Sequence, residues 1–249
     1  MITYDGRSLP EGVKVLDIQR PLLPPQELNM LSIEKKDGSF FYSKRSNNLV
    51  IDLDILITGS NKVELRDNLR GFAEFLNVEE PKPLIFHDEP DKYVEAIIDG
   101  DTSLDNFYRL GMGTISMVVP DPYYYAVDDD IYQFNNTTVN NFTKKGNTLS
   151  YPIIEIKGSS GSDGGYSVIS DNNKITFKGS LDAGDQLIID SELMTASIVS
   201  ASGEVASAIA YLDTLDFPVL AKGANSIRVE TLGGAVLDNY VVKCNSRWL

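Results

Sequence analysis

Side chains suited to chemistry are scarce in this chain of 249 residues, which holds one cysteine, one histidine and one tryptophan. A lone cysteine excludes an intrachain disulfide framework. It lies in the apolar run Tyr240-Val241-Val242-Lys243-Cys244, which predicts a buried structural thiol rather than a nucleophile. A lone histidine leaves no His pair or His–Cys set for metal or acid–base chemistry. No apolar run approaches the roughly 18 residues of a membrane span. The start Met1-Ile2-Thr3-Tyr4-Asp5-Gly6 lacks the basic-then-apolar layout of a signal peptide. The expectation is synthesis and folding in a reducing cytoplasm, with no membrane contact. Cations are also short: 22 Lys and Arg stand against 36 Asp and Glu, a net charge of −14. Residues 1–130 hold 13 against 24, and residues 131–249 hold 9 against 12. Phosphate binding needs clustered cations, so this balance opposes a nucleic-acid-binding role and suits a solvated acidic surface.

What is present is the material of a β-rich structural protein. With 42% hydrophobic residues, the chain has enough apolar material for one large or two ordinary domains. Residues 2–4 before Asp5-Gly6 read as a strand and tight turn, and residues 13–18 alternate as a second strand. Arg20-Pro21-Leu22-Leu23-Pro24-Pro25 cannot continue into a sheet, because proline lacks the ladder donor. It reads equally as a surface loop or as a projecting arm that docks on a neighbour. Residues 30–34 and 40–42 flank Lys35-Lys36-Asp37-Gly38, a hairpin turn with a solvated basic tip. In residues 48–58, Leu49, Ile51, Leu53, Ile55 and Ile57 share one strand face, and Asp52 and Asp54 lie on the opposite, solvated or interface face.

Asn61 caps a helix over about residues 61–77, with Glu64 placed for the reciprocal contact. Leu65, Leu69, Phe72 and Leu76 form its apolar stripe. A meander follows over residues 81–126: Pro83-Leu84-Ile85-Phe86, a turn at residues 87–91, a strand over 93–98, and another over 114–119 stopped by Pro120-Asp121-Pro122. The aromatic run Tyr123-Tyr124-Tyr125 comes directly after. Residues 135–149 are polar and turn-rich, with a short strand among Phe134, Val139 and Phe142. Beyond Tyr151, strands over 153–156, 166–169, 174–177, 186–189, 195–199, 206–212, 226–230 and 239–244 alternate with turns, the pattern of a jelly-roll-like β-sandwich. The expected fold is mainly β, an N-terminal β-rich domain with one packed helix (1–135) followed by a C-terminal sandwich (136–249).

No motif for catalysis survives inspection. The connection Asp99-Gly100-Asp101-Thr102-Ser103-Leu104-Asp105 looks acidic, but the EF-hand places for Gly and Glu hold Leu104 and Leu110. Asp128-Asp129-Asp130 reads as a solvated acidic patch. His87 sits with Asp88 and Asp91, yet no Gly-x-Ser-x-Gly elbow supplies a nucleophile, so it reads as a turn histidine. The Gly-rich stretch 158–165 lacks the Lys-Ser/Thr pair of a phosphate cradle and reads as a loop. Tyr166, Tyr211 and Tyr240 are mixed into strand patterns and suit packing better than a sugar platform. No catalytic, cofactor-binding or metal residue is expected, and no enzyme.

Residues 81–126 also carry a resemblance. The run PKPLIFHDEPDKYVEA at 81–96, PDPYYY at 120–125, an upstream DIQRPLLPP at 17–25 and the ending Arg247-Trp248-Leu249 resemble, in order and spacing, the distal tail protein family of siphophages, the long-tailed, non-contractile bacteriophages. The matching segments fall between residues 13 and 126, and the family form has a second tyrosine where this chain has Val94.

The resemblance implies a homo-hexameric ring built by the N-terminal domain, possibly as two stacked rings. Such a ring joins the tail tube protein to the baseplate or the tail hub and tip protein. Its central channel passes the tape measure protein and then DNA, which is met only in transit. The resemblance implies a galectin-like C-terminal sandwich that points outward and holds receptor-binding or other adsorption proteins, in a virion tail. It supplies no catalytic residue and no cofactor. Ring-interface candidates are Pro21, Leu22, Leu23, Pro24 and Pro25, then Asp52, Asp54, Tyr123 and Tyr124. With no extra block of sequence, the chain reads as a short form without an inserted sugar-binding module. The alternative is a carbohydrate-binding module whose sandwich contacts host cell-wall glycans.

Overall fold

The computed structural model describes residues 1–100, 105–106, 110–171 and 173–249, in two units, Met1–Val127 and Asp128–Trp248. It is mainly β, as expected, with one α-helix among the described residues. In the first unit, β1 (Ile2–Tyr4) and β2 (Arg7–Ser8) turn at Asp5-Gly6. β3 (Val13–Gln19) leads through residues 20–25 to β4 (Gln26–Leu31) and β5 (Phe40–Ser46), which form a two-stranded ribbon of their own. Then come β6 (Leu49–Thr58), α1 (Lys62–Leu76), β7 (Lys82–Phe86), β8 (Glu89–Ile98), β9 (Asp105–Asn106), β10 (Leu110–Val119) and β11 (Tyr124–Ala126). Apart from the ribbon, the strands run antiparallel in the order β2-β1-β7-β8-β10-β6-β3, with β11 on β8 and β9 on β10. Residues 101–104 of the acidic connection lie outside the described residues.

Alternation along β6 decides where the core sits. Leu49, Ile51, Leu53, Ile55 and Ile57 are all buried, packed with Ile115, Met117 and Val119 of β10 and with α1. Each such side chain is worth roughly 1.5–3 kcal/mol on burial. α1 starts as the cap chemistry requires: Asn61 Oδ1 accepts the Val63 N–H at 2.9 Å and the Glu64 N–H at 3.1 Å. Glu64 reaches back one residue further than a capping box, accepting from the Ser60 N–H at 3.1 Å and from the Ser60 hydroxyl. The helix buries Leu65, Phe72, Phe75 and Leu76, with Leu69 partly buried. Phe75 widens the apolar stripe beyond the expected row.

The second unit is a sandwich of two sheets. Its strands are β12 (Ile131–Phe134), β13 (Asn140–Lys144), β14 (Ile153–Ser159), β15 (Gly165–Ser170), β16 (Asn173–Lys178), β17 (Gln186–Asp190), β18 (Thr195–Val199), β19 (Val205–Ser207), β20 (Gly223–Leu232) and β21 (Val236–Lys243). One sheet runs β12-β21-β14-β17-β18-β19 and the other β13-β20-β15-β16. Ile154, Ile156, Leu187, Ile189, Tyr240 and Val242 of the first face Phe142, Tyr166, Val168, Ile175, Phe177 and Val229 of the second in one buried cluster.

Four local expectations change. The division falls at Val127/Asp128, before the 135/136 boundary, because β12 pairs with β21 near the far end of the chain. Residues 206–212 are not one strand: β19 ends at Ser207 and a 3₁₀ turn, Ile209–Tyr211, follows. The N–H of Ala208 still reaches the Ala196 carbonyl at 2.8 Å, so the chain bends only after its edge pairing is spent. The Gly-rich stretch 158–165 is partly strand, since Gly158 sits in β14 at a register shift against β21. A Cβ there would lie 2.1 Å from the Val236 carbonyl oxygen, which is why the position needs glycine.

The fourth change concerns Asp129 and Asp130, which belong to the fold rather than to a solvated patch. Asp129 accepts the N–H of Asn245 at 2.8 Å and of Ser246 at 2.9 Å. Asp130 accepts the Lys145 N–H at 2.5 Å and the Ser246 hydroxyl at 3.0 Å. Arg247 is buried beside them, donating to the Leu149 carbonyl at 2.7 Å with its guanidinium 4.8 Å from the Tyr151 ring.

Candidate functional site

The carboxylates beside the one histidine, and the one thiol, are occupied by structural work. His87 is exposed in the β7–β8 turn, and its neighbour Asp88 pairs with Arg20, whose Nη1 also donates to Glu89 at 3.1 Å. Asp91 pairs with Lys92 at 3.1 Å. Neither carboxylate is left to orient an imidazole. Burial, followed by the charges of Asp129 and Asp130, pushes the Cys244 thiol up to about 12, which removes any thiolate character at neutral pH. Among the described residues no group of three or more His, Cys, Asp or Glu is placed to hold a metal ion. No helix among them is long and apolar enough to cross a membrane.

Two surfaces of the first unit stand out instead. The first is the arm and ribbon between β3 and β6. Leu22 is 93% exposed and Leu23 49%, with Pro21 and Pro25 exposed beside them and only Pro24 buried. The base is held: the Arg20 guanidinium lies 4.6 Å over the Phe86 ring, and the Asn47 N–H donates to the Pro25 carbonyl at 2.8 Å. Beyond that base, Leu28, Met30, Leu31, Phe40, Phe41 and Tyr42 are all exposed. The second surface is a groove of about 290 Å³ lined by Met1, Ser8, Leu9, Val13, Lys14 and Val15. It lies where the two terminal strands of the sheet, β2 and β3, offer unpaired edges. A second depression, lined in part by Leu16, Asp17, Ile18 and Asp88, continues along β3.

The remaining interface candidates are placed as follows. Asp52 and Asp54 stand on the outer face of β6 and accept hydrogen bonds from the Ser116 hydroxyl at 2.6 Å and the Thr114 hydroxyl at 2.5 Å. β3 brings Asp17 opposite Asp54 and Gln19 opposite Asp52, so three carboxylates lie together across two strands, with Thr114 and Ser116 of β10 on the other side of β6. Tyr124 packs into its own unit, 6.5 Å from Phe86, and burial raises its phenol above the ordinary value. Tyr123 precedes it, partly buried. The structure therefore gathers the Pro21–Leu23 stretch and the ribbon at one end of β3, and packs Tyr124, partly buried, against the core. Arg20 was not legible as an anchor, since its partners lie on β7 and β8 and no local spacing announces them. The ribbon's apolar exposure had a signal, the hydrophobic pairs Met30-Leu31 and Phe40-Phe41, but strand period alone assigns one face of each to a core.

In the sandwich, Tyr166 and Tyr240 are fully buried and tied by their hydroxyls, Tyr166 donating to the Val236 carbonyl at 2.8 Å and Tyr240 accepting from Asn140 at 2.8 Å. Tyr211, 52% exposed, is the one exposed aromatic among the described residues of that unit.

Residues 13–119 match the family model of the phage tail protein RIFT-related domain, a segment contained in the first unit. Fold and domain together define a structural component of a phage tail. Over its whole length the chain shares a fold with the SPP1 Dit (gp 19.1) protein, a hub adsorption apparatus protein of phages that infect Gram-positive bacteria. The TM-score is 0.81 at 13% identity, covering 100% of this chain and 98% of that one. Chains of the phage p2 baseplate in its activated conformation also match, with strontium (TM-score 0.54, 11% identity, 93% and 90% covered). The form with calcium gives a TM-score of 0.52 at 10% identity, with 96% and 92% covered. No curated protein sequence matches. The resemblance to the siphophage distal tail protein family is borne out in that residues 13–119 match the phage tail protein RIFT-related domain model and the whole chain shares the fold of a Dit protein.

Proposed function

We propose that this chain is the distal tail protein of a siphophage, six copies of which form a ring through the N-terminal unit. The ring joins the tail tube to the baseplate or tail tip hub and leaves a channel for the tape measure protein and for DNA in transit. The galectin-like sandwich points outward and holds receptor-binding or other adsorption proteins. The observation that carries this reading is the likeness over essentially all of both chains to a hub protein of a phage adsorption apparatus. The exposed apolar arm supports it, because a head-to-tail contact that closes by rotation needs a projecting element and a separate receiver. The carboxylates of Asp17, Asp52 and Asp54 suit a surface that DNA passes without sticking. The interface residues proposed are Pro21, Leu22, Leu23 and Pro25, then Asp52 and Asp54, with Tyr123 at the margin.

The glycan-binding alternative has little to stand on, with Tyr211 the one exposed aromatic in the described sandwich. Mass measurement in solution followed by negative-stain imaging tests the proposal. Sixfold rings with an open centre are expected, and a strictly monomeric particle at high concentration would refute it.

A further inference from the structure

We infer that the open edge of β19, with the apolar side chains beside it, takes up an extended, basic segment of a partner protein as an added strand. The inference rests on reading the sandwich as a holder of adsorption proteins, and it supplies the place and the chemistry of the hold.

The ladder fixes which main-chain groups are free. At one end of β19 the Ser200 N–H donates to the Glu204 carbonyl at 2.9 Å, and at the other the Ala208 N–H donates to the Ala196 carbonyl at 2.8 Å. Antiparallel bonding alternates along a strand, so Glu204, Ala206 and Ala208 turn their peptide groups towards β18. Val205 and Ser207 turn theirs outward, and β19 is the last strand of its sheet. Natural edges are blunted by lysine, by proline or by a covering segment. Val205-Ala206-Ser207 carries neither residue. The β16 edge of the opposite sheet is covered by its own chain: Leu212 bridges to Phe177, and the Asp213 N–H and Thr214 hydroxyl donate to the Thr176 and Lys174 carbonyls, each at 2.9 Å.

The side chains beside the β19 edge are apolar on both faces. Ala206 lies opposite Ile198, itself opposite the buried Leu187, on the face turned to the core. It is nevertheless exposed, so the second sheet stops short of it. Val205, 70% exposed, stands on the outer face, and exposed Ile209, Tyr211 and Leu215 follow as the chain leaves the strand. An added strand alternates its side chains between two such faces while its main chain bonds the edge.

Charge names the occupant. None of the nine basic residues of 131–249 falls within 179–221, which hold seven of the twelve acidic ones. That segment builds β17, β18, β19 and the 3₁₀ turn. Glu204 is exposed at the end of the edge, and near it Asp185 accepts the Ala201 N–H at 2.9 Å. Lys178 of β16 is already paired with Asp213 at 2.6 Å. Two copies of this edge would set like charges side by side, so the complementary strand is basic and comes from another protein.

The test uses the full chain and a labelled Lys-Val-Lys-Val-Lys-Val-Lys peptide, with Glu-Val-Glu-Val-Glu-Val-Glu as the control. The basic peptide is expected to bind and the acidic one not, with hydrogen exchange slowed at the Val205 and Ser207 amides. Val205→Pro removes an outward donor without touching the bonds to β18, and circular dichroism with Trp248 fluorescence checks its folding. It should weaken binding at least about tenfold, the equivalent of about 1.4 kcal/mol. Glu204→Lys, an exposed side chain, should weaken it as well, and it gives the answer if the proline disturbs the sheet. No binding of the basic peptide at about 1 mM, or binding that both variants leave unchanged, overturns the inference. A folded Val205→Pro protein that loses self-assembly makes a second copy the occupant and overturns the separate partner. Sixfold rings that bind no peptide leave the distal tail reading standing without this edge. Peptide bound at β19 by a protein that forms no ring refutes that reading and keeps the edge as a binding site.

Discussion

Replacing Cys244 with alanine should flatten the alkaline limb of the sandwich's stability profile. The thiol is fully buried, and burial, followed by the charges of Asp129 and Asp130, raises it from 9.0 to about 12. The folded state therefore holds this proton more tightly than the unfolded chain does. The stabilisation is complete below pH 9 and is lost as the pH climbs towards 12. At about 1.36 kcal/mol per pKa unit the whole window is worth at most about 4 kcal/mol. Tyr166, raised to about 12 chiefly by burial, adds a loss of the same sign in both proteins. Lys144 acts the other way: burial holds its ammonium below the ordinary value, so stability gained there rises with pH. Urea midpoints followed by Trp248, the one tryptophan and a member of this unit, measure the effect between neutral pH and about pH 11. Cys244→Ala should start lower, from the lost packing, and the two curves should converge as the wild type loses its proton. Curves that stay parallel throughout would refute the assignment of the alkaline loss to this thiol.

Gly158→Val should cost about 2–3 kcal/mol, because the new side chain meets the Val236 carbonyl at 2.1 Å and the Tyr166 hydroxyl at 2.6 Å. Gly161→Ala, with nothing within 4 Å, should stay within about 0.5 kcal/mol in the same thermal melts. Leu53→Ala, at a position 1% exposed in the first core, should lose about 3 kcal/mol in the denaturation of that unit. Asp129→Ala strands the N–H groups of Asn245 and Ser246 and should cost about 2 kcal/mol, read as faster hydrogen exchange at those two amides. Unchanged exchange there would mean the carboxylate does not hold the terminal segment.

Much of the architecture was legible because it rests on local rules. Strict alternation in residues 48–58 announced β6 and its buried face, and the Asn61 cap with its apolar stripe announced α1 nearly to the residue. The turn-punctuated second half announced a sandwich. The misses share one cause. Asp129 and Asp130 look solvated until residues 244–247 are brought beside them, and β12 looks like a linker until β21 pairs with it. Residues 206–212 look like one strand until the edge pairing ends at Ser207.

For the assembly surface, the sequence alone determined that a proline-stiffened apolar stretch at residues 20–25 could not join a ladder, and that acid–base or metal chemistry had almost no material to draw on. Only the tertiary structure decided which apolar side chains stay in water. Period two marks a face but not what covers it, so Leu53 and Phe41 read alike along the chain. One packs beneath α1 and the other stands uncovered on a ribbon, because a side chain's burial is settled by the elements that reach it from elsewhere.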